Sequence, residues 1–127
     1  MPKQKILIAD DDKDAALFLE KGLQREGFEI ILAVDGLEAK RAILKENPDL
    51  IILDLIMPKL DGWEVLKWLR QEHKKLTPVI VVSAKDEMDD LKKTYALKAD
   101  TYLVKPITLD DILAVIRAIS TLNFEQT

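Results

Sequence analysis

The 127-residue chain contains no cysteine and a single histidine, His73. A disulfide scaffold and a thiolate metal site are therefore excluded, and the absence fits a reducing compartment. No apolar run approaches the roughly 18 residues that a membrane span requires. The opening MPKQKILI also lacks the layout of a signal peptide. Basic charge is in deficit as well: the net charge is −4, which argues against direct nucleic-acid contact because phosphate binding needs a basic face. Internal repeats, low-complexity stretches and long linkers are missing. The expectation is one cytoplasmic domain without a membrane partner, spanning 1–127 with a core at about 4–121 and a tail or cut linker at 122–127.

What is present is an ordinary globular composition, 48% hydrophobic and 33% charged. Short apolar runs at 5–9, 28–34, 49–55, 79–82 and 102–104 read as strands. The first, third and fourth are nearly continuously apolar, as in strands covered on both faces. Helical spacing lies between them. Ala16, Leu19 and Leu23 are followed by Gly27 as a helix stop, and Ala39 and Ile43 by Asn47-Pro48. Leu66 with Leu69, then Met88, Leu91 and Tyr95, continue the series. Leu109, Ile112, Ile116 and Ile119 close it behind a Thr108-x-x-Asp111 capping box. Five strand–helix repeats with short loops imply an α/β fold with a parallel sheet and helices on both faces. Such sheets place their ligands beyond the carboxyl ends of the strands.

The unusual residues gather at those ends. The first strand runs into Asp10-Asp11-Asp12 and the third into Asp54; the fourth ends at Ser83 and the fifth meets Lys105-Pro106. Helix capping accounts for one of the three consecutive aspartates, and Ser83-x-x-Asp86 also has capping-box spacing. If the first and third strands are neighbours, Asp10, Asp11 and Asp54 converge. Two carboxylates about 5 Å apart repel by ~3 kcal/mol at an effective dielectric of about 20. Either a cation must join them or one must hold a proton. Oxygen ligands without histidine or cysteine point to a hard divalent ion, Mg²⁺ first and Mn²⁺ as a substitute.

ILIADDD, LIILDLIMPKLDGWEVL, VIVVSA and YLVKP, in this order and at these spacings, resemble the response-regulator receiver domains of two-component phosphorelays. The likeness covers residues 4–121. It implies a flavodoxin-like (βα)5 doubly wound sheet with strand order 2-1-3-4-5, acting as a signalling module and not as a turnover enzyme. Carried over position by position, Asp54 is the phospho-acceptor. Asp11 touches Mg²⁺ directly, Asp10 acts through water, and the Ile56 backbone carbonyl is a further ligand. Ser83 and Lys105 bind the phosphoryl group, and Ser83 with Tyr102 forms the switch. The Lys105–Pro106 bond is cis in this family. The implied partners are a sensor histidine kinase or phosphotransfer protein upstream and a protein partner or output domain downstream, with a phosphorylation-dependent dimer as a further implication. The signal would be read from the fourth helix, fifth strand and fifth helix, roughly residues 84–121.

Three details depart from the family pattern. Lys98-Ala99 stands where Gly-Ala often precedes the fifth strand, while Ile56 and Lys85 occupy the variable positions that tune phosphate lifetime; Ile56 implies slow hydrolysis. Thr101 and Val115 replace charged residues usual in receivers of winged-helix transcription factors, although Asp100 and Arg117 remain. This favours a stand-alone receiver, or one detached from another output type, acting through protein partners. A flavodoxin is disfavoured because DDDKD would repel a flavin phosphate, and a haloacid-dehalogenase-type phosphatase because it wants Asp where Ile56 stands. A degenerate, phosphorylation-independent binding module would have lost part of the acidic cluster or the lysine. His73, between Glu72 and Lys74, reads as solvated, and Trp63 and Trp68 as partly packed.

Overall fold

The computed structural model describes residues 4–84, 92, 93 and 95–126, with side chains as far as Ile119. Its strands are β1 (Lys5–Ala9), β2 (Glu29–Ala33), β3 (Leu50–Asp54), β4 (Val79–Ser83) and β5 (Thr101–Val104). They form one parallel sheet in the order β2-β1-β3-β4-β5, as the resemblance implied. The expected strand segments were right in number and within two residues at each end. β3 and β4 are buried throughout, and β1 from Ile6 onward, because helices cover both faces of the sheet.

Alternation along the strands divides the core in two. Leu7, Ala9, Ile51, Leu53, Val79 and Val81 face α2 (Gly36–Glu46) and α3 (Gly62–Lys67), meeting Ala39, Ile43, Val65 and Leu66. Ile6, Ile8, Leu50, Ile52, Ile80 and Val82 face α1 (Lys13–Arg25) and the C-terminal helix (Leu109–Gln126), meeting Leu19, Leu23, Ile112 and Ile116. That helix runs on through 122–126, the segment read as a tail. Trp63 and Trp68 are partly buried against the α2–α3 side. Tyr95 is half exposed, while Met88, Leu91, Lys85 and Asp86 lie outside the described residues.

Several helix ends follow the local chemistry of the chain. The Asp12 side chain caps α1 by accepting from the Ala15 N–H. Gly27 has φ 97°, and Asn47 ends α2 in the left-handed region before Pro48. Thr108 and Asp111 bond reciprocally at 3.0 Å, completing the capping box.

Other features were not foreseen. After α3 the chain widens into a π-helical turn, Trp68–Glu72. His73 is not simply solvated: its ring stacks on Trp68, centroids 5.0 Å apart and planes 3° apart. Arg70, inside the charged run, turns inward and donates to the carbonyls of Lys98, Lys75 and Thr77 and to the Asp100 carboxylate. Asp100 also accepts from the Val79 N–H, so one guanidinium ties the loop before β4 to the turn before β5.

In that turn Lys98 sits at φ 64°, the left-handed conformation anticipated from its missing glycine. Its bond to Arg70 uses only the backbone carbonyl, which glycine retains. Lys98→Gly should therefore stabilise the fold by roughly 0.5–1 kcal/mol. The check is thermal unfolding, with the midpoint rising by about 2–4 °C.

Candidate functional site

Asp10 follows β1, and its N–H donates to the Ala33 carbonyl at 3.0 Å, continuing the ladder by one residue. Lys105 follows β5 and likewise donates its N–H to the Ser83 carbonyl at 2.7 Å. Strand alternation carried through these extensions puts Asp10, Asp54 and Lys105 on the α1 side of the sheet. It puts Ser83 and Tyr102 on the α3 side.

The first group meets. Lys105 Nζ lies 2.9 Å from Asp54 Oδ2 and 3.3 Å from Asp10 Oδ2. Asp54 Oδ1 accepts from the Ile56 N–H at 3.0 Å, and Asp10 Oδ1 from the Asp12 N–H at 2.9 Å. One carboxylate oxygen from each of Asp10, Asp11 and Asp54 falls within 4.8 Å of the other two. Asp10 and Asp54 are buried at 6% and 5% exposure, whereas Asp11 is exposed. Beside them a cavity of about 430 Å³ runs between α1 and the segment after β5, its apolar wall including Phe18 and Ile107.

The electrostatics are those of crowded negative charge. Burial pushes the Asp10 carboxyl above its usual range and the neighbouring Asp54 adds to this; the Asp12 N–H and Lys105 oppose it. For Lys105 burial pulls downward, but the bonds to Asp54 and the charges of Asp54 and Asp10 prevail and raise its pKa. One ammonium against three carboxylates leaves excess negative charge. An all-oxygen set with that excess fits a hard divalent cation.

Ser83 is fully buried and Tyr102 partly buried against the α2–α3 core. The Ile56 side chain is 48% exposed, and the Lys105–Pro106 bond is cis. Three contributors escaped the sequence reading. Asp35 caps α2 through the Glu38 N–H at 2.8 Å, and Asp61 caps α3 through the Glu64 N–H at 2.9 Å. Both carry the Asp-x-x-Glu spacing that would have revealed them. Lys59, with φ 68°, pairs with Asp35 at 3.5 Å. Gly62 is needed because a Cβ there would overlap the Asp54 carbonyl and the Leu55 Cα.

A doubly wound parallel sheet with an acidic triad and a lysine at its carboxyl edge is the arrangement of a signalling receiver domain. Residues 6–117 match the response regulator receiver domain family, and the chain belongs to it. The alkaline phosphatase synthesis transcriptional regulatory protein PhoP of Bacillus subtilis is 42% identical over 116 residues, 91% of this chain and 48% of PhoP. The transcriptional regulatory protein PrrA of Mycobacterium tuberculosis is 43% identical over 115 residues, again 91% of this chain and 49% of the relative. The receiver domain of Francisella response regulator 1452 superposes with a TM-score of 0.88 at 35% identity, covering 95% of this chain and 99% of that one. The chain thus spans about half the length of the curated relatives it matches. Receiver domains generally use Mg²⁺ and are not turnover enzymes on external substrates. Because these relatives are named as transcriptional regulators, the expectation that nucleic acid is no partner finds no support here. Among the described residues, no helix is long and apolar enough to cross a membrane.

The raised Asp10 carboxyl has a measurable consequence. The folded chain holds that proton more tightly than the unfolded chain, so the penalty is absent at low pH and grows as pH rises past the ordinary carboxylate range. Asp10→Asn keeps an acceptor for the Asp12 N–H and removes the charge. Without divalent cations it should melt several degrees higher than wild type at neutral pH, with the gain shrinking on acidification. An unchanged or lower melting point at neutral pH would contradict this account of Asp10.

Proposed function

We propose that this receiver takes a phosphoryl group onto Asp54 from the phosphohistidine of a sensor kinase or phosphotransfer protein, or from a small phosphodonor. The observation carrying this reading is the buried Asp54 carboxylate held 2.9 Å from Lys105 with Asp10 and Asp11 alongside. Asp54 supplies the nucleophilic oxygen. It sits at the end of an apolar strand, where positioning and charge neutralisation, the main demands of phosphoryl transfer, can act with little competition from water. The Lys105 ammonium neutralises oxygens of the incoming group, and the Ser83 hydroxyl fixes one of them. Asp10, Asp11, Asp54 and the Ile56 carbonyl would hold Mg²⁺, or Mn²⁺ in its place. The bound ion supplies charge neutralisation and orientation at the phosphoryl oxygens.

Ser83 and Tyr102 lie on the opposite side of the sheet from Asp54 by strand phase, so a movement of Ser83 toward the phosphate would carry the change across the sheet. The responding surface is that of residues 84–121, acting on a protein partner or an output domain in the cytoplasm, with phosphorylation-dependent dimerisation as one means. We read residues 1–127 as one receiver domain.

Incubation with acetyl phosphate and Mg²⁺ followed by intact mass measurement tests the chemistry. Wild type should gain one phosphoryl group, and Asp54→Asn should gain none. Equal gain by the variant removes Asp54 as acceptor. Ile56→Asn, which adds an amide able to orient water, should lose the group several-fold faster than wild type.

Amide exchange with and without a phosphoryl mimic tests the switch. Protection should change within 84–121 and stay constant in α1. Identical protection in both states would defeat the proposed output surface.

A further inference from the structure

The β3–α3 loop is held in a conformation that Asp54 alone does not demand. The Leu60 N–H closes on the Pro58 carbonyl at 2.7 Å, a three-residue turn with Lys59 at its centre. Lys59 has φ 68° there, a positive-φ γ-turn of the uncommon and strained kind, and it is not glycine. Such strain persists only where surrounding contacts over-determine it.

Those contacts come from the start of α2. Gly36 lies so close under the loop that a Cβ on it would overlap the Leu60 carbonyl oxygen. Its neighbour Asp35 is 4% exposed and does two things with one carboxylate. Oδ1 accepts from the Glu38 N–H at 2.8 Å, and Oδ2 lies 3.5 Å from Lys59 Nζ. The Glu38 N–H first, and then the Lys59 ammonium, keep the Asp35 carboxyl below its ordinary range, so it stays charged for the pair. On the far side of the turn Met57 is buried in the core, and between Met57 and Asp54 stands Ile56, whose N–H is already bound to Asp54 Oδ1.

We propose that the Lys59–Asp35 ion pair is a positioning device that clasps loop 55–61 onto α2 and so fixes the Ile56 carbonyl for the divalent cation. This rests on the cation assignment to Asp10, Asp11 and Asp54 made above. The pair acts through the loop backbone and touches neither cation nor phosphoryl group.

Four variants test it: Asp35→Asn, which keeps a capping oxygen for α2, Lys59→Met, which keeps the aliphatic stem, the double variant, and Lys59→Arg, which keeps the charge. Amide exchange of residues 56–60 is measured in metal-free protein, and Mg²⁺ affinity is measured by calorimetric titration. A clasp predicts faster loop exchange and several-fold weaker Mg²⁺ binding in both single variants, with the double variant no weaker than either and Lys59→Arg restoring both readouts. A simple field effect predicts opposite signs: losing the Asp35 charge would weaken cation binding, and losing the Lys59 charge would strengthen it. Tighter binding by Lys59→Met, additive losses in the double variant, or unchanged exchange would each overturn the proposal. Absence of Mg²⁺ binding in wild type would instead overturn the cation assignment on which it rests, while exchange in the metal-free variants would still report whether the clasp exists.

Discussion

The ammonium of Lys105 between Asp54 and Asp10 is the contact on which the carboxyl edge of the sheet depends. Three strand ends are brought together there, and two of them bring buried negative charge. A buried carboxylate is tolerated only when a counter-charge or hydrogen bonds take over from water. Lys105 provides the first, while the N–H groups of Ile56 and Asp12 provide the second. The compensation is incomplete, as the raised Asp10 carboxyl records. Full neutralisation would remove the excess negative charge that suits this edge to a hard divalent cation.

Much of this edge was legible because strand ends are where polar residues interrupt apolar runs. Asp10, Asp54, Ser83 and Lys105 each stand at such an interruption. A cap among Asp10 to Asp12, the Thr108–Asp111 box and the stops at Gly27 and Asn47 were equally visible, since each is a local signal read within four residues. Arg70 was not legible. It lies in the charged run RQEHKK, and three of its four partners are backbone carbonyls, which carry no mark in a sequence. It lies within the π-helical turn Trp68–Glu72, next to the buried Leu69. Lys59 escaped for a related reason: its meaning comes from Asp35, distant along the chain.

Arg70 also alters how the charged pattern near β5 should be weighed. Asp100 could be counted as a surface charge of the kind that transcription-factor receivers display, but it is engaged by Arg70 and by the Val79 N–H. Val115, at a position where such receivers often carry arginine, packs against the C-terminal-helix side of the core. Charge counting across this surface is thus a weak guide to output. The curated relatives are named as transcriptional regulators, and the chain spans about half their length.

Strand alternation, which places Asp54 and Lys105 on one side of the sheet and Ser83 and Tyr102 on the other, limits how this domain can vary in length. Adding or deleting one residue within β3 would rotate Asp54 away from Lys105 while leaving its hydrophobic neighbours facing the wrong helices. The same change in an exposed loop costs only a little closure entropy. Divergence by insertion should therefore collect in exposed loops without such ties and leave the five strands with fixed spacing to their terminal polar residue. A sequence that gained a residue inside one of these strands would have to lose another within the same strand to keep its chemistry.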